Sequence, residues 1–186
     1  MTKIPAGRAA LIDHLITHSV RTDGPFTLRS GQTSDFYIDA RQTTFDGEGA
    51  ALAGAAVAEA LFPEVGAVGG LTMGADPIAV ATAITSTTQN RRLKAFSIRK
   101  AAKGHGTGGR LVGPVGAGDL VAMIDDTVTT GGALLEAIDV AHAEGLRVVQ
   151  VICLVDRSDG VLARKLERLA IPYTALVTPR DLGVVT

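Results

Sequence analysis

The 186-residue chain has no tryptophan, one cysteine and only 4% aromatic residues. With so few rings, a core has to be assembled from Ala, Val, Leu and Ile. The single cysteine, Cys153, excludes a disulfide within the chain. It lies in the apolar run Val148–Val155, which reads as a core thiol rather than a nucleophile. Neither sign of charge predominates: 18 Lys+Arg stand against 19 Asp+Glu, a formal net charge of -1. That balance argues against a nucleic-acid module, which carries a basic surplus. No apolar run reaches the length of a membrane span. The opening Met1-Thr2-Lys3-Ile4-Pro5-Ala6-Gly7 lacks the apolar segment of a secretory signal. A cytoplasmic protein with no membrane partner is expected. No repeat, low-complexity segment or linker is present, and the length suits one domain, residues 1–186, with a sizeable core.

What is present alternates. Ala9–His18 reads as a helix with Leu11, Ile12, Leu15 and Ile16 on one face. Phe26–Arg29 and Phe36–Asp39 read as short strands around a polar turn. An alanine-rich helix over Glu48–Leu61 precedes a buried strand, Val65–Leu71. The turn Thr72-Met73-Gly74-Ala75-Asp76 leads to a helix with Pro77 in its first turn, running to about Thr88. Strands are expected at Leu93–Ile98, before Asp125, at Arg147–Val155 and at Tyr173–Val177, with helices at Gly132–Glu144 and Val161–Leu169 between them. From Val65 onward strands alternate with helices, which predicts an α/β fold: a central, mostly parallel sheet flanked by helices. In such sheets ligands bind beyond the carboxyl ends of strands, and most of the polar residues of interest fall there.

The densest signal is Leu120-Val121-Ala122-Met123-Ile124-Asp125-Asp126-Thr127-Val128-Thr129-Thr130-Gly131-Gly132, followed by the apolar helix pattern from Ala133. A rigid strand closes on two carboxylates that can accept hydrogen bonds from a sugar diol. The turn after it gathers threonine hydroxyls, free backbone N–H groups and a helix N-terminus, which together suit a phosphate. A phosphorylated sugar satisfies both halves. The run is not a Walker loop, since no Gly-Lys-Ser/Thr follows, nor a dinucleotide fingerprint, since the third spaced glycine is missing. Strand, acid, glycine and helix also meet at ordinary turns where an acid merely caps a helix. The residues alone therefore lead as far as a phosphosugar enzyme.

A second segment, Arg99-Lys100-Ala101-Ala102-Lys103-Gly104-His105-Gly106, carries three cations and a histidine in seven positions. Taken alone it is a solvated basic loop. Beside a phosphosugar site it becomes a set of charges for a departing pyrophosphate, and its downstream glycines suggest a mobile catalytic loop over about 100–113 that excludes water.

The acidic run resembles the phosphoribosyl pyrophosphate (PRPP) motif of the type I phosphoribosyltransferases. The pattern Arg-Lys-x-x-Lys-x-His-Gly, followed by Leu-Val-Gly, narrows that to a resemblance to the orotate phosphoribosyltransferases. Phe26–Gly31, Phe36–Asp39 and Leu154-Val155-Asp156-Arg157 are similar to further segments of that family, so the likeness covers about Phe26 to Arg157. The resemblance implies the type I phosphoribosyltransferase fold, with a hood from about 1–45 over a core of about 46–186. It implies that Asp125 and Asp126 meet the ribose and that Thr127, Val128, Thr129, Thr130, Gly131, Gly132 and Ala133 wrap the 5-phosphate. It implies that Arg99, Lys100, Lys103 and His105 engage PRPP and its pyrophosphate, with Lys103, His105, Arg99, Asp125 and Asp126 catalytic. Thr129 and Arg157 are carried over as orotate contacts, and Arg29 as a further one, where the family often has lysine. The family's lysine after the Val65–Leu71 strand is absent; backbone N–H groups of that turn are expected to serve, with Asp76 near a metal-bound water. Mg2+ is expected to arrive on PRPP with no direct protein ligand, since no His/Asp/Cys cluster has ligand spacing. The resemblance further implies a homodimer in which each subunit's loop completes its neighbour's site.

Three other readings are compatible with part of the chain. A phosphoribosyltransferase for another base fits the acidic run but not Arg99–Gly106 or Arg157. A non-catalytic nucleotide-binding regulator of the same fold leaves the cationic loop without a purpose. A receiver or sugar-binding α/β domain leaves the threonine–glycine turn unexplained.

Overall fold

The computed structural model describes residues 6–27, 31, 33–102 and 109–184. The N-terminal part comprises α1 (Ala6–His18), β1 (Val20–Arg21), β2 (Phe26–Thr27), β3 (Thr33–Ser34), β4 (Tyr37–Ile38) and α2 (Arg41–Thr44). Then follow α3 (Gly47–Ala60), β5 (Ala67–Leu71), α4 (Ala75–Thr88), β6 (Lys94–Ile98), β7 (Leu111–Val112), β8 (Leu120–Val128), α5 (Gly132–Ala143), β9 (Arg147–Asp156), α6 (Val161–Arg168) and β10 (Tyr173–Val177). Six strands form one sheet in the order β10-β9-β8-β5-β6-β7. All its pairings are parallel except the edge strand β7, which runs against β6.

The sheet is covered on both faces, as near-continuous apolar strands require. One face buries Leu11 and Leu15 of α1, Ala53 and Val57 of α3, and Ile78 and Ala79 of α4. The other buries Leu134, Ala137 and Ile138 of α5 with Leu162 and Leu166 of α6. Small side chains do what aromatics would do elsewhere. Asp46 starts α3: its carboxylate accepts from the N–H groups of Glu48 and Gly49, each at 3.0 Å. Gln150, fully buried in β9, is satisfied by the end of α3, accepting from Phe62 N at 2.9 Å and donating to Ala60 O at 2.7 Å.

Two features depart from the sequence reading. β8 does not stop before Asp125 but runs on to Val128, because β9 keeps pairing it, Thr127 with Val155 and Val128 with Asp156. β5 leaves β8 at Met123, so the other edge of β8 is open from Ile124 onward. The second feature is β7. Its two residues pair with Ser97 and Ile98 of β6 and so belong to the sheet rather than to the glycine-rich loop. The N-terminal strands form two separate antiparallel pairs, β1 with β4 and β2 with β3. They sit on the core through Phe36 and Ile38, which are buried with α1.

Candidate active site

The parting of β5 from β8 opens a cleft of about 740 Å³. Asp125, Asp126 and Thr127 of β8 form one wall, the Leu71–Gly74 turn a second, and Tyr37–Arg41 a third; Lys100, Ala133 and Glu136 complete it. The acid pair is locally braced. The Asp126 N–H donates to Asp125 Oδ1 at 3.1 Å, and the Thr127 N–H donates to Asp126 Oδ1 at 2.7 Å. Burial, and then the adjacent Asp126 charge, push Asp125 up to about 7. Burial also raises Asp126, against the Thr127 N–H and the charge of Arg41, which draw it down.

Gly74 lets the turn approach this pair. A Cβ there would lie 2.5 Å from Asp126 Oδ1, so any side chain would displace the carboxylate. In the same turn Thr72 Oγ1 donates to Asp76 Oδ2 at 2.6 Å, while Asp76 Oδ1 is buried without a partner among the described residues. Thr127 Oγ1 and Arg157 Nε are likewise buried with no partner among the described residues. Three orphaned polar atoms around one set of strand ends are what a polar ligand would satisfy.

Past β8 the chain turns through Thr129 and Thr130, both exposed, into α5. The N-cap of α5 is Gly131, in the left-handed conformation, and no side chain caps the helix. Among the described residues the first N–H groups of the helix therefore have no partner, at the positive end of the helix dipole. Lys165 Nζ holds the turn from behind through Thr130 O at 2.7 Å.

Arg99 and Lys100 follow β6, with Lys100 in the cleft and Arg99 half-buried. Lys103 and His105 lie outside the described residues, as does Arg29. Arg157 follows β9 and is tied to β8 by its N–H, which donates to Val128 O at 2.8 Å. Its guanidinium stands 5.2 Å from the centre of the Phe36 ring, and burial lowers its pKa. It lines not the main cleft but a different cavity of about 380 Å³, with Asp156, Thr178 and Arg180. Cys153 is fully buried, and burial raises its thiol well above the usual range, so it is no nucleophile.

The structure thus brings Asp125, Asp126, Thr127, Ala133 and Lys100 to one cleft and sets Arg157 beside it. It also adds residues the sequence did not single out. Arg41 pairs with Asp39 through two bonds of 2.7 and 3.1 Å on the wall facing the acids. Arg110 and Glu136 meet at 2.6 Å beside Lys100. Arg110 and Glu136 meet only through the β6–β7 edge, and the local Asp39–Arg41 pair gains its place at the site only when the N-terminal unit seats on the sheet.

No family model matches the chain. The orotate phosphoribosyltransferase of Streptomyces avermitilis is 41% identical over 179 residues, 95% of this chain and 97% of that protein. Among solved structures, Mycobacterium tuberculosis orotate phosphoribosyltransferase in complex with Fe(III) dicitrate superposes with a TM-score of 0.84 at 36% identity, over 96% of this chain and 99% of that one. The same enzyme in complex with PRPP gives 0.79 at 32% identity, over 96% and 99%. Likeness of this degree along nearly the full length of both partners, on the same sheet, places the chain in the orotate phosphoribosyltransferase family.

Proposed function

We propose that the chain transfers the 5-phosphoribosyl group of PRPP to orotate, releasing pyrophosphate and giving orotidine 5'-monophosphate, a step of pyrimidine and UMP synthesis. The observation that carries this reading is the braced acid pair of β8 standing in the same cleft as the uncapped start of α5. One feature suits a ribose diol and the other a 5-phosphate, at the spacing of one strand-to-helix turn.

In this reading Asp125 and Asp126 hold the ribose hydroxyls. Their negative charge also stabilises the cationic sugar that develops as the bond to pyrophosphate breaks. Thr127 to Ala133 bind the 5-phosphate through backbone N–H groups and threonine hydroxyls. Arg99 and Lys100, joined by Lys103 and His105, take the charge of the departing pyrophosphate. Thr129 and Arg157 orient orotate, and Arg29 adds a further cation on the base side. A guanidinium already stacked on Phe36, with its Nε unpaired among the described residues, is ready for a planar carboxylate or carbonyl edge. The carboxylates at and beside this cleft suit a hard cation such as Mg2+ that arrives on PRPP and keeps its waters, with Asp125, Asp126 and Asp76 facing those waters rather than binding the ion directly. Bound there, Mg2+ would neutralise pyrophosphate charge.

We read the working unit as a homodimer. α4 leaves Val80 53% and Ile84 62% exposed one turn apart, and Met73, on the cleft wall, is 54% exposed. An apolar stripe running into the site suits a second copy of the chain. A cytoplasmic home is part of the same reading, in keeping with a single, buried, unpaired cysteine.

The deciding experiment follows orotate absorbance with purified protein, PRPP and Mg2+, beside uracil and hypoxanthine. Loss of the orotate signal that needs both PRPP and Mg2+ is the expected result. Turnover of another base alone would overturn the base assignment and with it the role given to Arg157. Lys103→Ala is expected to lower kcat by about 100-fold or more while shifting Tm by less than about 2 °C, since it removes a charge acting on the leaving group. Near wild-type turnover would remove Lys103 from the mechanism.

A further inference from the structure

Arg110 lies just before β7 and makes the tightest set of polar contacts near the cleft. Its Nε donates to Arg99 O at 2.6 Å, while the Arg99 N–H donates to Arg110 O at 2.8 Å. The two residues thus extend the β6–β7 ladder by one step beyond Ile98 and Leu111. The other arm of the same guanidinium reaches Glu136 Oε1 on α5, also at 2.6 Å. Arg110 is largely covered, with 20% of its side chain exposed, against 55% for Glu136. One planar fork therefore joins the backbone that carries Arg99 and Lys100 to the helix whose first turn borders the cleft.

Glu136 gives this fork a second task. It shares the cleft with Lys100, Asp125 and Asp126. A free carboxylate there would repel a polyphosphate, and Arg110 neutralises it. Nε and Nη2 of Arg110 are thus both directed away from the ligand, to Arg99 O and to Glu136.

We infer that Arg110 is a positioning residue for phosphoribosyl transfer: it fixes the Arg99–Lys100 segment against α5 and screens Glu136 from the incoming polyphosphate. The inference rests on the proposed reading that the cleft takes PRPP and releases pyrophosphate.

Kinetics of Arg110→Ala, Arg110→Lys and the double variant Arg110→Ala/Glu136→Gln test it. Arg110→Ala is expected to raise KM for PRPP about tenfold or more and to lower kcat, with KM for orotate changed by less than about twofold. Arg110→Lys keeps the charge but not the fork, so it should recover the PRPP KM and not the kcat. Adding Glu136→Gln to Arg110→Ala removes the unscreened carboxylate and should restore much of the PRPP KM. Equal rises in both KM values, or a fall in Tm with both KM values unchanged, would overturn the inference. So would a double variant no better than Arg110→Ala. If Arg110→Ala does not fold, Arg110→Lys decides through its split of KM from kcat. If the wild type leaves orotate untouched, the proposed function fails instead. Calorimetric binding of pyrophosphate and of PRPP to the same variants then still reads the role of Arg110.

Discussion

Asp125→Asn is expected to make the protein more stable and nearly inactive at the same time. The carboxyl of Asp125 is pushed up to about 7, first by burial and then by the Asp126 charge, from an ordinary value of 3.8. Between about pH 4 and pH 7 the folded protein therefore holds a proton on Asp125 that the unfolded chain has lost. Stability contributed by this group is present below the unfolded value, falls as pH rises from about 4 to about 7, and stays low above that. Amide nitrogen in place of a buried anion relieves the penalty. Because the cleft admits water, the gain at pH 8 is roughly 1–3 kcal/mol rather than the full worth of the shift. The variant should melt several degrees above wild type at pH 8, and the two should converge near pH 4, where wild-type Asp125 is protonated. Turnover should fall by about 100- to 1000-fold, since a ribose diol and a developing sugar cation both need the ionised form. For the wild type, PRPP affinity should weaken as pH drops below about 7, and PRPP binding at pH 6.5 should release a proton, measurable by calorimetry in buffers of different ionisation enthalpy. A variant that is inactive and melts lower at pH 8 would mean that Asp125 holds the fold together rather than carrying strain for function.

The ease of reading Asp125 and the difficulty of reading Arg110 have one origin. Strand, acids, threonines, glycine and helix start lie within a continuous run of 13 residues, Leu120 to Gly132, so local chemistry and local geometry coincide. The alternation of strands and helices is local in the same sense, which is why a mainly parallel sheet could be expected. What sets the strand order β10-β9-β8-β5-β6-β7 is not local. The run of β8 past Asp125 depends on pairing with β9, Thr127 with Val155 and Val128 with Asp156, and no propensity within β8 reveals it. β7 is two residues long and is a strand only because β6 offers an edge. Arg110 and Glu136 are 26 positions apart and meet through that edge. Asp39 and Arg41 are close in sequence, yet their relevance comes from facing Asp126 across the cleft, which only the seating of Phe36 and Ile38 on the core decides. The roles of Lys103, His105 and Arg29 rest on the family resemblance, since these residues fall outside the described part of the structure.

Gly131→Ala tests how tightly the turn between β8 and α5 is specified. Gly131 has φ of +78°, the left-handed region, and a Cβ there would lie 2.7 Å from Leu162 Cδ1. Leu162 is fully buried on α6, so it has no room to yield. The substitution therefore carries two costs: about 1–2 kcal/mol for the backbone conformation, and a displacement of the turn away from α6. Displacement moves Thr129, Thr130 and the free N–H groups of α5 together, because Lys165 pins the turn at the Thr130 carbonyl from the α6 side. KM for PRPP is expected to rise about tenfold or more, and KM for orotate by much less. Gly118→Ala separates the two costs. Gly118 also has a left-handed φ, +89°, but a Cβ there meets nothing within 4 Å, and it lies in the turn just before β8, at the opposite end of the strand from the acid pair. It should lower Tm by about as much as the backbone cost of Gly131→Ala, with KM for PRPP unchanged. If both variants lose stability and neither alters KM for PRPP, the turn after β8 is a connection and not a phosphate cradle. A rise confined to Gly131→Ala would tie phosphoribosyl binding to the one residue whose missing side chain lets α5 begin uncapped against α6.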